Sequence, residues 1–177
     1  MSPLRLVSFF LLSLIAGFAS VAIFSSLSYP YSEFPIIPIL LALALVLRTR
    51  PSSFWFIFTI VLILDLYRSA GFGVGILSFV SLVIVGDKIA SDLFSHRSII
   101  GCVVISAATG LFWVLFNAFF SQAAYWMHGG SFQIDFLSLL ISILIQSGVT
   151  AIVVGVFYSV APRWLRDHSP MNIGGRL

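Results

Sequence analysis

The sequence predicts an all-α integral membrane protein: a six-transmembrane-helix bundle with both termini in the cytoplasm. Three observations predict it. The 177 residues are 60% hydrophobic, only 8% charged, and have a mean hydropathy of +1.13. A soluble domain carries about 25% charged residues, so too few are present here to cover a water-facing surface. The apolar residues fall into six runs broken by short polar or glycine-rich segments. The basic residues between those runs lie almost entirely on one side.

A helix needs roughly 20 apolar residues to cross the hydrocarbon core. The first run, Leu6 to Leu27, meets that length. With Arg5 before it and Ser20-Val21-Ala22 inside it, the run resembles a signal peptide. A signal core spans about 7–15 residues, however, and five more runs follow, so it is read as an uncleaved first span. Tyr29 to Pro35 is a turn rich in aromatics and proline. Ile36 to Leu47 is a shorter second run, closed by Arg48-Thr49-Arg50-Pro51. Phe54 to Tyr67 is the third, and Arg68 to Gly75 a glycine-rich connection. Val74 to about Phe94 is the fourth, carrying Asp87, Lys88 and Asp92 in its last third. Ser95-His96-Arg97-Ser98 is a tight polar turn. Ile99 to Phe120 is the fifth run, Ala123 to Asp135 a longer loop, and Phe136 to Val160 the sixth, ended by Pro162. One transmembrane domain results, with spans at about 6–28, 34–47, 52–67, 74–94, 98–121 and 136–161 and a polar tail over 162–177.

Cytoplasmic loops of membrane proteins are enriched in Lys and Arg. With six spans, eight of the nine basic residues fall on the side of the termini: Arg5, Arg48, Arg50, Lys88, Arg97, Arg163, Arg166 and Arg176. Only Arg68 falls on the other, which places both termini inside. Tyr29, Tyr31, Tyr67, Tyr125, Trp126 and Trp164 sit at span ends, where interfacial aromatics belong.

Ionisable residues within spans are costly and are candidates for function. Asp65 follows the apolar stretch Ile57 to Leu64. Its carboxylate can hydrogen-bond a neighbouring helix or loop, contact a partner or ligand, take part in proton chemistry, or reach the outer headgroups beside Arg68. Lys88 and Asp92 are four residues apart and can pair on one helix face, with Asp87 deeper. Gly71, Gly73 and Gly75 suit either a tight turn or close helix approach. In the sixth run, Ser138, Ser142, Gln146 and Thr150 form a polar stripe beside Ser147, Ala151, Gly155 and Ser159. Such small, weakly polar faces drive helix association in lipid. This one serves internal packing, a seam for another membrane protein or a further copy in an oligomer, or a cavity wall. Ser106, Gly110, Asn117 and Gln122 add polar or small positions to the fifth run.

Other chemistries find little support. Cys102 is the only cysteine, so no intrachain disulfide can form. His96, His128 and His168 are scattered, and no HExxH or phosphate-binding loop occurs. Ser131 after His128-Gly129-Gly130 lacks a serine elbow. Basic residues occur in pairs at most, which gives no nucleic-acid footprint. The residues imply no metal, no cofactor and no enzyme.

From Phe34 to about Gly101 the order of features resembles the MreD family of bacterial rod shape-determining membrane proteins. A proline opens a short second helix, here Phe34-Pro35-Ile36-Ile37-Pro38, and a basic turn follows, here Arg48-Thr49-Arg50-Pro51. The third helix ends in Ile63-Leu64-Asp65-Leu66, and a short loop enters the fourth through Gly71, Gly73 and Gly75. The chain departs from the family in lacking glycine from Phe54 to Leu64, in Arg68, and in Ile36 and Ile37 after the proline. The resemblance implies a six-helix bundle similar to the S components of energy-coupling-factor transporters. It also implies a non-enzymatic scaffold of the cell-elongation machinery in the bacterial inner membrane. Its partners would be an MreC-like single-span protein, the actin-like MreB and the peptidoglycan synthases. The alternative is a vitamin-binding S component, with Asp65, Arg68 and the loop from Tyr125 to Asp135 lining an outward-facing cavity.

Overall fold

The structure is a computed structural model of the whole chain. It describes residues 35–47, 51–67, 73–93, 99–130 and 135–160, together with scattered helical residues between 11 and 22. The described residues are helical and contain no strand. Five helices follow one another: α1 (Ile36–Val46), α2 (Pro51–Tyr67), α3 (Val74–Leu93), α4 (Ile99–Met127) and α5 (Phe136–Val160). They correspond to the second through sixth apolar runs. Most of the first run lies outside the described residues, but Gly17 within it packs on Ile63 of α2, and Phe18 meets the Tyr67 ring edge-on at 6.2 Å.

Two helices, α4 and α5, are long and apolar enough to cross a membrane. The centre of the fold belongs to the shortest helix. α1 has eleven residues, eight of them buried, and packs against each of the other four. Burying a helix start strands backbone donors, because the first four N–H groups of any helix lack an intrahelical partner. Prolines reduce that cost here. The N-cap residue is Pro35 and the third helical residue is Pro38, and neither carries an N–H. Ile36 and Ile37 are the first-turn residues whose N–H groups the helix itself does not use, and the ladder begins with the Ile39 N–H donating to the Pro35 carbonyl at 3.0 Å.

α4 and α5 form the most extensive pair. The buried positions of α4 include Cys102, Ile105, Ser106, Thr109, Gly110 and Trp113, one stripe at helical spacing. The two helices approach closely at Gly110. A Cβ there would lie 2.7 Å from the Ser147 Cα and 2.8 Å from the Gln146 carbonyl oxygen. Farther along, Gly155 of α5 sits under Val103 of α4. The opposite face of α5 is aliphatic and exposed: Leu137, Leu144, Ile152 and Val156.

The boundaries of α1, α2, α3 and α5 fall within three residues of the apolar runs. The fifth run requires a correction. The expected loop from Ala123 instead continues as helix through Met127. Ser121-Gln122-Ala123-Ala124 lowers the hydropathy, yet Ala and Gln are strong helix formers and carry the helix onward. Gly129, at φ +80°, then ends it: the Gly129 N–H donates to the Trp126 carbonyl and the Gly130 N–H to that of Tyr125. Asp135 opens α5, its carboxylate accepting from the Leu137 N–H at 3.1 Å.

Candidate functional site

Asp65 lies in the last turn of α2 and is 1% exposed. Its carboxylate spans the break to α3. Oδ2 accepts the Gly73 N–H at 2.7 Å, and Oδ1 accepts the Gly75 N–H at 2.9 Å. Gly73 is the N-cap position of α3, because its carbonyl accepts the first intrahelical bond, from the Leu77 N–H at 2.9 Å. A glycine N-cap has no side chain with which to satisfy the orphan donors of the first turn. Asp65 performs that task from eight residues upstream. The positive end of the α3 dipole also favours an anion there, which accounts for a carboxylate rather than a hydroxyl.

The two glycines are required for different reasons. Gly73 has φ +105° and open space around its Cα, so its constraint is backbone conformation. Gly75 is constrained by space: a Cβ would lie 2.9 Å from the Asp65 Oδ1 and 3.2 Å from its Cγ. The expected association of Asp65 with the glycine turn therefore takes the form of an interhelical cap. Gly71 and Arg68 lie outside the described residues. Asp87 and Lys88 are exposed on α3, away from this junction, and the expected Lys88–Asp92 pairing involves a side chain outside the described residues.

The small-residue face of α5 is used within the fold. Ser147 meets Gly110, Gly155 meets Val103, and Thr150 is fully buried. Its hydroxyls turn back onto their own helix: Thr150 donates to the Gln146 carbonyl at 2.6 Å and Ser147 to that of Ile143. Ser78, Ser106 and Thr109 do the same on α3 and α4. Hydroxyls bonded in this way fill little volume, which permits the close approach of α4 and α5 around Gly110, while nearer the other end the Cys102 thiol of α4 hydrogen-bonds the Tyr158 side chain of α5. The buried Oε1 of Gln146 and Nε2 of Gln122 have no hydrogen-bond partner among the described residues.

A cavity of about 180 Å³ opens between the end of α1 and the start of α2, lined by Leu40, Leu43, Leu47, Ser53, Phe56 and Ile57. Its lining is apolar apart from Ser53. It lies at the opposite end of α2 from Asp65, so it is not the polar outward-facing pocket that a vitamin-binding reading requires. That cavity and the interhelical cap were both invisible in the apolar runs; only Asp65 and the glycines that follow it across the helix break pointed to the cap. No family model matches the chain, and no curated protein or solved structure matches it either.

Proposed function

We propose that the chain is a multi-pass protein of the bacterial inner membrane, with six spans and both termini inside, that serves as a non-enzymatic scaffold subunit of the cell-elongation machinery. Its role is to support rod shape and lateral peptidoglycan synthesis by binding an MreC-like single-span protein, as the resemblance to the MreD family implies. The observation that carries this reading is the Asp65 cap. The junction where the resemblance is strongest is also where a buried carboxylate commits both oxygens to backbone amides. A carboxylate engaged in this way sets the geometry of two helices. That supports a binding scaffold over a transporter subunit, whose site would need Asp65 to face an open cavity. The exposed aliphatic face of α5 supplies a surface on which lipid or a single apolar helix can pack.

The test is genetic and biochemical. Removing the gene from its own rod-shaped host turns cells round, and the tagged chain brings down a single-span partner after crosslinking in membranes. Normal rods after deletion, together with loss of vitamin uptake, would refute the scaffold and favour the transporter subunit.

A further inference from the structure

α4 is much longer than α3, the helix it follows. α3 has 20 residues and α4 has 29. At about 1.5 Å per residue these are roughly 30 Å and 43 Å long. The helices pack together and only five residues of sequence, 94–98, separate the end of one from the start of the other, so the extra length of α4, about 13 Å, lies at its far end. The headgroup layer on each side of a bilayer is only about 5–8 Å thick. If α3 crossed the hydrocarbon upright, the tip of α4 would stand clear in water.

The composition of the tip does not suit water. Phe119, Trp126, Met127, Phe136 and Leu137 are each at least 65% exposed, and Tyr125 is about half exposed. From Asn117 to Phe136 the only formal charge is Asp135. The tip belongs to α4 and α5, the two helices long and apolar enough to cross a membrane, whose flanks carry further exposed hydrophobic side chains. Trp and Tyr, with an apolar body and one polar atom, are the side chains best matched to the boundary between hydrocarbon and headgroups.

We propose that the α4–α5 tip is an interfacial anchor: the pair leans so that residues 119–127 and the start of α5 lie within the outer headgroup layer. A lean of about 30° brings a 43 Å helix down to the thickness of hydrocarbon plus one headgroup layer, within the range seen for membrane helices. The occupant of the exposed aromatic surface is therefore phospholipid, held by apolar and dipolar contacts. With one charge at the tip, the attachment is insensitive to ionic strength. The inference rests on the membrane reading above and is independent of the elongation partners.

The full chain is reconstituted into phosphatidylcholine vesicles whose acyl chains carry bromine either near the headgroup or near the terminal methyl. Trp126 is isolated by comparing the wild-type protein with Trp126→Phe, an exposed position where the change leaves the core untouched. The expected result is at least twofold greater quenching of the Trp126 component by shallow than by deep bromine, unchanged by salt, and no quenching by aqueous iodide. Iodide quenching without bromine quenching places the tip in water and overturns the proposal. Protection from both, as a second protein covering the tip would give, also overturns it. A protein that floats with the vesicles yet gives either result refutes the anchor alone, whereas a protein that fails to float refutes the membrane reading with it.

Discussion

Asp65 and Gly75 should show a reversal of sign in a double-mutant cycle. Removing the carboxylate with Asp65→Ala leaves the Gly73 and Gly75 N–H groups without their acceptor in a buried setting. Hydrogen bonds to a charged group contribute about 1.5–3 kcal/mol each, so the loss is about 3–6 kcal/mol. At about 2–4 °C per kcal/mol for a chain of this size, the thermal midpoint in detergent falls by roughly 6–24 °C. Gly75→Ala in the wild-type background places a methyl 2.9 Å from the Asp65 Oδ1. The carboxylate must shift, which weakens both bonds and costs about 1–3 kcal/mol. In the Asp65→Ala background that obstruction is gone, and the next neighbour, the Val61 Cγ1 at 3.6 Å, makes an ordinary contact. The helix propensity of alanine over glycine, about 1 kcal/mol, then makes the same substitution neutral or stabilising. The assay is unfolding in detergent followed by intrinsic tryptophan fluorescence on all four proteins. An equal effect of Gly75→Ala in both backgrounds would show that the carboxylate does not occupy this position, and the cap would be refuted.

Three further outcomes follow from the helix contacts. Gly110→Ala forces backbone apart from backbone and should cost at least about 2 kcal/mol, whereas Gly148→Ala, with nothing within 4 Å, should be neutral or slightly stabilising; equal midpoints for the two would contradict the close crossing. Gly73→Ala meets no atom but must hold φ +105°, so a loss of about 1–2 kcal/mol is expected from backbone strain alone, and it should persist in the Asp65→Ala background. Gln146→Met removes a buried acceptor that has no partner among the described residues, and the midpoint should hold or rise; a fall of several degrees would show that Oε1 is engaged by a group outside them.

The apolar runs made most helices legible, because each helix coincides with a long apolar stretch bounded by polar, proline or glycine residues whatever its packing. They said much less about which face turns inward. In water, a buried face is apolar and an exposed face polar, so periodicity reveals orientation. Here the outer face of α4, with Ile100, Val104 and Phe119, is as apolar as the inner face with Ile105 and Trp113. The usable signals were the exceptions: glycines, hydroxyls and one carboxylate. Asp65 and the glycines after it drew attention to their junction, where a charge at the end of an apolar helix finds its donors at the next helix start, on Gly73 and Gly75. The serine and threonine stripe of α5 marked an internal interface, but its hydroxyls bond to their own helix and so could not name the opposing partner. The length of α4 was missed because hydropathy falls at Ser121 while helix propensity does not.

The burial of α1 also has a consequence in time. This helix emerges early in synthesis, while α4 and α5, which cover much of it, follow later, and more than a hundred residues separate its end from the end of α5. At about 5–20 residues per second, α1 waits roughly 5–20 s for its last neighbour. At eleven residues it is too short to settle across a bilayer alone. With the chain inserted into a membrane as proposed above, its future centre stays uncovered throughout that interval, so assembly rather than the finished fold is the point at which it is most exposed to failure.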